Sequence, residues 1–346
     1  PLYYGWQKNI FLFGSELKAL KANTNFIGDI DRESLSLYVQ NSSIPAPKSI
    51  YKGINKLLPG CFIEIDLVNN YSIKSNIKST KYWSFDHVAI TGQNNLYHGS
   101  EDEVIEQFSL LLSKSIKQQM LADMPLGAFL SGGIDSSLIV ALMQEHSNKS
   151  VKTFSVGFNQ NQYNEAKYAN SVAKYLGTDH TEFYVSESDV LNVIPKLPTI
   201  YDEPFSDSSQ IPTFLISELA QRHVKVALSG DAGDELLGGY NRYFWLKRVW
   251  TYFSWMPVQM RSSISHLLLS IPVSRWNQFF SSIEMLLLKN KVFSNPGEKI
   301  HKLSSIIESD SPTKLYLGLL SNWKQTENVV LNSIGSYADD NLLNKK

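Results

Sequence analysis

Cysteine is almost absent: Cys61 is the one thiol in 346 residues. Such a chain forms neither an internal disulfide nor a thiolate metal cluster, and a reducing, cytoplasmic setting fits it. Long apolar runs are missing too. The richest C-terminal stretch, residues 264–273, is broken by Ser265, His266, Ser270 and Pro272, well short of the ~20 residues that span a bilayer, so no membrane contact is expected. His87, His98, His146, His180, His223, His266 and His301 are scattered without metal-ligand spacing, which implies no zinc or iron site. Charge of one sign is not in excess either. With 32 Lys plus Arg against 33 Asp plus Glu, the net charge is −1. No global field therefore draws in nucleic acid or an anionic membrane, and any polyanion must be gripped locally. The opening Pro1-Leu2-Tyr3-Tyr4-Gly5 has no initiator Met and no basic start before an apolar run. No signal peptide is expected, and the chain reads as starting in mid-domain.

What is present is enough apolar residue, 43% of the chain, to bury one large core or two smaller ones. Residues 1–85 read as short and β-rich, with strands at 9–13 and 60–65, one helix near 31–40, and Pro45, Pro47 and Pro59 in the loops. Residues 86–100 are polar, with Gly92, Gly99 and an amide run at 93–95, and mark a linker. From Glu101 the period changes, because Val104, Ile105, Phe108, Leu111, Leu112, Ile116 and Met120 recur at helical spacing. Strands at 127–130, 151–158, 182–185 and 225–228 then alternate with helices at 135–145, 165–176 and 211–221. That alternation predicts an α/β fold with a doubly wound parallel sheet. After Gly239 the text turns helical and aromatic, with Trp245, Trp250, Trp255 and Trp276.

Chemistry concentrates in Ser131-Gly132-Gly133-Ile134-Asp135-Ser136-Ser137, between a predicted strand and a predicted helix. Two glycines let successive amides and a helix N-terminus face one anion, while the serines add donors. Asp135 adds a carboxylate suited to a magnesium ion bridging phosphates. The loop has no lysine, so it is not the Walker type, and it is not a dinucleotide fingerprint. A second cluster, Ser229-Gly230-Asp231-Ala232-Gly233-Asp234-Glu235, crowds three carboxylates between glycines. Such crowding is repulsive unless cations pass among them.

The first loop resembles the pyrophosphate loop of the N-type ATP pyrophosphatases. The second, continued by Leu236-Leu237-Gly238-Gly239-Tyr240, is similar to Ser-Gly-[Glu/Asp]-Gly-x-Asp-Glu-x-x-Gly-Gly-Tyr of asparagine synthetases, with Ala232 where that pattern has Gly. Tyr163-Asn164-Glu165 and the stretch from Tyr201-Asp202-Glu203-Pro204 to Pro212 resemble segments of the same family, with Asp202, Glu203 and Asp207 expected at the active-site rim. Pro1 to Tyr4, Gly14 to Leu20 and Leu58-Pro59-Gly60 resemble the closing part of an N-terminal-nucleophile glutaminase domain. Its cysteine nucleophile is expected outside this chain, and Cys61 is expected to be a buried small hydrophobe.

The resemblance implies a partial α+β glutaminase region at 1–85, a linker at 86–100, and an adenine-nucleotide-hydrolase-like synthetase domain at 101–346 that stops short, without the family's Arg-x-Pro-Phe-Leu-Asp motif. It implies ATP and Mg2+, with aspartate and glutamine-derived ammonia as substrates, and leaves room for a homodimer. ATP and pyrophosphate contacts are expected from Leu130, Ser131, Gly132, Gly133, Asp135, Ser136, Ser137, Val156, Gly157, Ser229 and Gly230. Asp231 and Asp234 are the implied catalytic residues. These two and Glu235 would meet substrate, and Asp135 and Asp234 the metal. Where the family often has Glu, Asp231 is one methylene shorter, which suits magnesium or substrate binding better than a base role. Two alternatives stay open at this point: an amidotransferase of the same architecture acting on another carboxylate, such as a uronic acid, and a non-catalytic ATP-binding remnant.

Overall fold

The computed structural model describes residues 1–65, 77–158, 165–286, 295–323 and 325–333. Two compact units divide the chain, residues 1–38 with 42–233, and residues 39–41 with 234 onward.

The first unit opens with strands β1 (Tyr3–Gln7), β2 (Ile10–Gly14) and β3 (Ile54–Lys56), paired antiparallel in the order β2-β1-β3. Helices α1 (Leu17–Lys21) and α2 (Arg32–Asn41) lie between them in sequence. Tyr3, Leu12, Leu17, Leu20, Ile44, Ile50 and Ile54 form their common core. Strands β4 (Cys61–Ile63) and β5 (Ser79–Lys81) pair separately, and Cys61 is buried as expected. The polar stretch after it is not wholly irregular. Residues Phe85–Asn94 form α3, because Ser84 caps the first turn by accepting the His87 N–H and Asp86 favours the positive helix end.

Helix α4 (Glu101–Gln119) starts from a capping box in which Ser100 and Glu103 satisfy each other's amides. It leads into the parallel sheet of β6 (Leu126–Phe129), β7 (Lys152–Phe158), β8 (Asp179–Val185) and β9 (Val226–Leu228), ordered β8-β7-β6-β9. Helices α5 (Ile134–Glu145) and α6 (Ala166–Leu176) make the first two crossovers, and α7 (Glu187–Val193), α8 (Leu197–Ile200) and α9 (Gln210–Ala220) the third. The doubly wound expectation holds, with Ala128, Leu130, Val140, Met143 and Ala169 in one core and Phe154, Ala220 and Val224 in another.

One row of this sheet is polar. Thr153 Oγ1 lies 2.9 Å from His180 Nδ1, and Ser155 Oγ lies 3.2 Å from His180 Nε2. Burial pushes the imidazole pKa below its usual 6.5.

The second unit is helical, as the sequence predicts. After α10 (Gly233–Leu237), which begins at the last residue of the first unit, come α11 (Asn241–Phe253), α12 (Val258–Ser270), α13 (Val273–Leu286), α14 (Pro296–Ile307) and α15 (Pro312–Leu320). Val249, Ile306, Ile307 and Leu315 centre its core. No helix among the described residues is long and apolar enough to cross a membrane.

Between the lowered folded pKa of His180 and 6.5, the unfolded chain binds more protons than the folded one, so stability rises with pH across that window. Urea unfolding should therefore show stability falling as pH drops below 6.5, and His180→Gln should flatten that fall.

Candidate active site

The sheet reverses its winding at β6. The chain steps outward through β7 to β8, then returns to place β9 on the other side of β6, and such a reversal opens a crevice beyond the carboxyl ends of the strands. Parallel register aligns the ends of β6 and β9, with Ala128 beside Leu228, while β7 runs on past them from Phe154, the partner of Phe129, to Phe158. The loops at 131–137 and 229–233 therefore leave the sheet as neighbours.

Serine hydroxyls shape the first loop. Ser131 and Ser136 Oγ are 2.9 Å apart, and the Gly133 N–H donates to Ser131 Oγ at 3.2 Å. Ser136 Oγ donates to the Gly133 carbonyl at 3.3 Å. Gly132 has φ of +81°, and a Cβ there would stand 2.6 Å from the Ala169 nitrogen and 2.7 Å from Tyr168. Gly133 starts α5 without a side-chain cap. The first-turn amides of Ile134, Asp135 and Ser136 thus lack intrahelical acceptors at the positive end of a helix, the arrangement that takes phosphate. Ser137 Oγ is buried without a hydrogen-bond partner among the described residues, a donor of the kind a phosphate oxygen satisfies.

The second loop lies directly on the first. A Cβ on Gly230 would stand 2.7 Å from the Ser136 nitrogen, and one on Gly233 would stand 2.7 Å from the Asp135 carboxyl carbon. Gly233 was not among the expected site residues, although two glycines flanking Asp231 and Ala232 were visible in the motif. Ser229 Oγ donates to Asp231 Oδ2 at 2.8 Å and so orients that exposed carboxylate. Ala232 has φ of +72°, a conformation costing an L-residue about 1–2 kcal/mol.

The other expected residues have distinct places. Leu130 is 1% exposed, and its N–H is spent on the Phe154 carbonyl at 2.9 Å, so its side chain belongs to the core. Val156 packs on the cluster of Val185, Val193 and Leu215 that Ile211 and Phe214 of α9 also cover, and Gly157 follows at the carboxyl end of β7. Asp234 and Glu235 belong to the second unit. There the Asp234 carbonyl accepts the Gly239 N–H at 3.0 Å. Tyr240 donates its hydroxyl to Glu235 Oε1 at 2.7 Å, which holds the Glu235 carboxyl below its usual range and pushes the phenol up. Tyr163 and Asn164 lie outside the described residues. Asp202 and Glu203 differ from expectation, since their carboxylates engage Leu17, Lys18, Ile50 and Lys56. Asp207 accepts the Ser209 N–H at 2.7 Å, just ahead of α9.

The family model described as Asparagine synthase matches residues 107–345. The chain belongs to the asparagine synthase family. A second family model, Glutamine amidotransferase domain, matches residues 1–83. Putative asparagine synthetase [glutamine-hydrolyzing] 2 of Methanocaldococcus jannaschii is 40% identical over 244 residues, covering 69% of this chain and 45% of the relative. Asparagine synthetase [glutamine-hydrolyzing] 1 of Bacillus subtilis is 35% identical over 243 residues, covering 70% of this chain and 36% of the relative. The chain therefore spans less than half the length of either protein.

Gly132 and Ala232 share positive φ but carry opposite residue types. In urea unfolding, Gly132→Ala should cost about 1–2 kcal/mol from φ alone, before any clash with Ala169. Ala232→Gly should gain about 0.5–1 kcal/mol, relief of strain less the entropy of a freer unfolded chain.

Proposed function

We propose that this chain adenylates the β-carboxylate of aspartate and passes the acyl group to ammonia, so that with glutamine as nitrogen source the products are asparagine, AMP and pyrophosphate. One observation carries the reading. Gly230 and Gly233 rest on the first turn of α5, so Asp231 projects from a loop seated on the phosphate cradle. Amidation needs that juxtaposition, because a carboxylate resists ammonia until a phosphate ester makes it a mixed anhydride.

In the first step the aspartate β-carboxylate attacks the α-phosphorus of ATP, and the bond to the β-phosphate breaks. Amides at 132–136 and the hydroxyls of Ser131, Ser136 and Ser137 hold the departing pyrophosphate, whose charge grows as it leaves. Asp135 carries the carboxylate suited to Mg2+, which when bound would neutralise phosphate charge, and Asp234 in the second unit is a carboxylate of the same kind. In the second step ammonia attacks the acyl carbon and AMP departs. Asp231, steadied by Ser229, holds the ammonium group of the acceptor. Val156 and Gly157 offer backbone groups to adenine, and the Leu130, Ser229 and Gly230 backbones line the crevice.

We further infer a glutaminase-type region at 1–85, a linking segment at 86–100 and a synthetase domain from 101 onward, supported by family matches at 1–83 and 107–345. A cytoplasmic setting is supported by the lone, unpaired Cys61.

With ATP, magnesium, aspartate and ammonium chloride supplied, Asp135→Ala should lower aspartate-dependent pyrophosphate release at least about 100-fold. Unchanged release in that variant would sink the assignment of the loop. Release that depends on another carboxylate while aspartate is inert would move the acceptor but leave the ATP chemistry in place.

A further inference from the structure

Two adjacent carboxylates play no part in the chemistry above, yet their oxygens are fully engaged. Asp202 and Glu203 follow α8, and their side chains are 11% and 10% exposed. Asp202 Oδ2 accepts the Leu17 N–H at 2.7 Å, and Oδ1 lies 3.3 Å from Lys18 Nζ. Glu203 Oε1 accepts the Ile50 N–H at 2.8 Å. Its Oε2 pairs with Lys56 and accepts the Tyr3 hydroxyl at 3.4 Å. Three residues on, the Ser206 N–H donates to the Ser42 carbonyl at 2.9 Å, and its hydroxyl meets that of Tyr38.

Every one of these partners lies within the amidotransferase-like residues 1–83. Carboxylates this buried are costly unless their lone pairs are used, and here each oxygen has a donor. Lys56 is itself fixed, donating to the Ile44 carbonyl at 2.6 Å. Burial and the Glu203 and Asp202 charges push the Tyr3 phenol up, which keeps it a donor.

The same segment continues into the support of the nucleotide strand. Tyr201 donates its hydroxyl to the Gln210 carbonyl at 3.1 Å, and Asp207 accepts the Ser209 N–H just ahead of α9. Helix α9 then packs Ile211, Phe214 and Leu215 into one cluster with Val156 and Phe158, the end of β7. A contiguous run of packed groups thus joins the N-terminal region to the strand end read as the adenine contact.

We propose that Asp202 and Glu203 are positioning residues that make nucleotide affinity at the carboxyl end of β7 depend on the docking of the N-terminal region. This rests on the reading of that edge as an ATP site. The advantage is chemical. An acyl-adenylate made with no nitrogen donor at hand is lost to water, so affinity that falls when the donor half undocks protects ATP.

Calorimetric titration of Mg-ATP into the full chain tests the idea, with Glu203→Gln on one side of the clamp and Lys56→Met on the other. Both should weaken binding about threefold to tenfold, and the double variant should be no weaker than either alone. Leu12→Ala, a truncation in the same N-terminal core, should lower stability and leave affinity unchanged. Hydrogen exchange gives the second readout, since Mg-ATP should slow exchange of the Leu17 and Ile50 amides in the wild type and in neither clamp variant. Faster exchange of those amides in the variants with unaltered ATP affinity would overturn the proposal and leave the proposed function standing. A wild-type chain that binds no ATP would overturn the nucleotide reading, and this inference with it.

Discussion

Backbone meets backbone at the carboxyl edge of β6 and β9, and the rest of the site depends on that closeness. Gly132 packs on α6, Gly230 on the first turn of α5, and Gly233 on Asp135. A Cβ at any of these points would approach within 2.7 Å of a neighbouring atom, inside ordinary van der Waals contact. The glycines therefore do more than permit a turn. They let two loops from strands far apart in sequence share one surface furnished with amides, small hydroxyls and the carboxylates of Asp135 and Asp231. The parallel sheet supplies the alignment, since the register of β6 with β9 ends both strands at the same level.

Much of this was legible because it is local. Strand, glycine turn, serine pair and helix follow one another within residues 126–145, so the loop at 131–133 and its flanking elements could be read from the sequence with boundaries off by one residue. The alternation that predicts the sheet is local in the same way. Helix α4 shows the limit of periodicity. Its stripe of Val104, Ile105, Phe108 and Leu111 marks a helix correctly, yet those side chains are exposed and Ile116 alone is buried in it. Spacing names an element without naming what covers it. At 85–94 the polar composition gave no sign of a helix, yet one serine cap and one first-turn aspartate suffice to order one that buries no residue.

Asp202 and Glu203 were misplaced for a different reason. Their partners at 3, 17, 18, 50 and 56 stand about 150–200 residues away, and no local pattern distinguishes a carboxylate destined for an amide from one destined for a metal. The structural distinction is clear. Carboxylates at the interface have every oxygen occupied, whereas Asp231 has one hydroxyl contact and remains exposed. Saturated oxygens hold regions in place, and an exposed carboxylate stays open to solvent or ligand. Ala232 was legible as a departure from the family pattern, but its meaning came only with φ of +72°. The backbone there keeps the shape a glycine would take and carries the cost of a methyl group.

The electrostatics of the cradle follow from the same economy. A loop that binds phosphate through amides and hydroxyls contributes no formal positive charge, and this loop contains no lysine or arginine. Asp135 stands within it and Asp231 on the loop beside it, so a polyphosphate arrives among like charges. Helix dipoles return only about half an elementary charge. In the proposed reaction the balance comes from a cation that enters with the nucleotide, and Asp135 is then an asset rather than a repulsive neighbour, because a carboxylate is what binds such a cation. On the proposed reading, a chain with net charge of −1 holds a strongly anionic substrate because that substrate brings its own counter-ion.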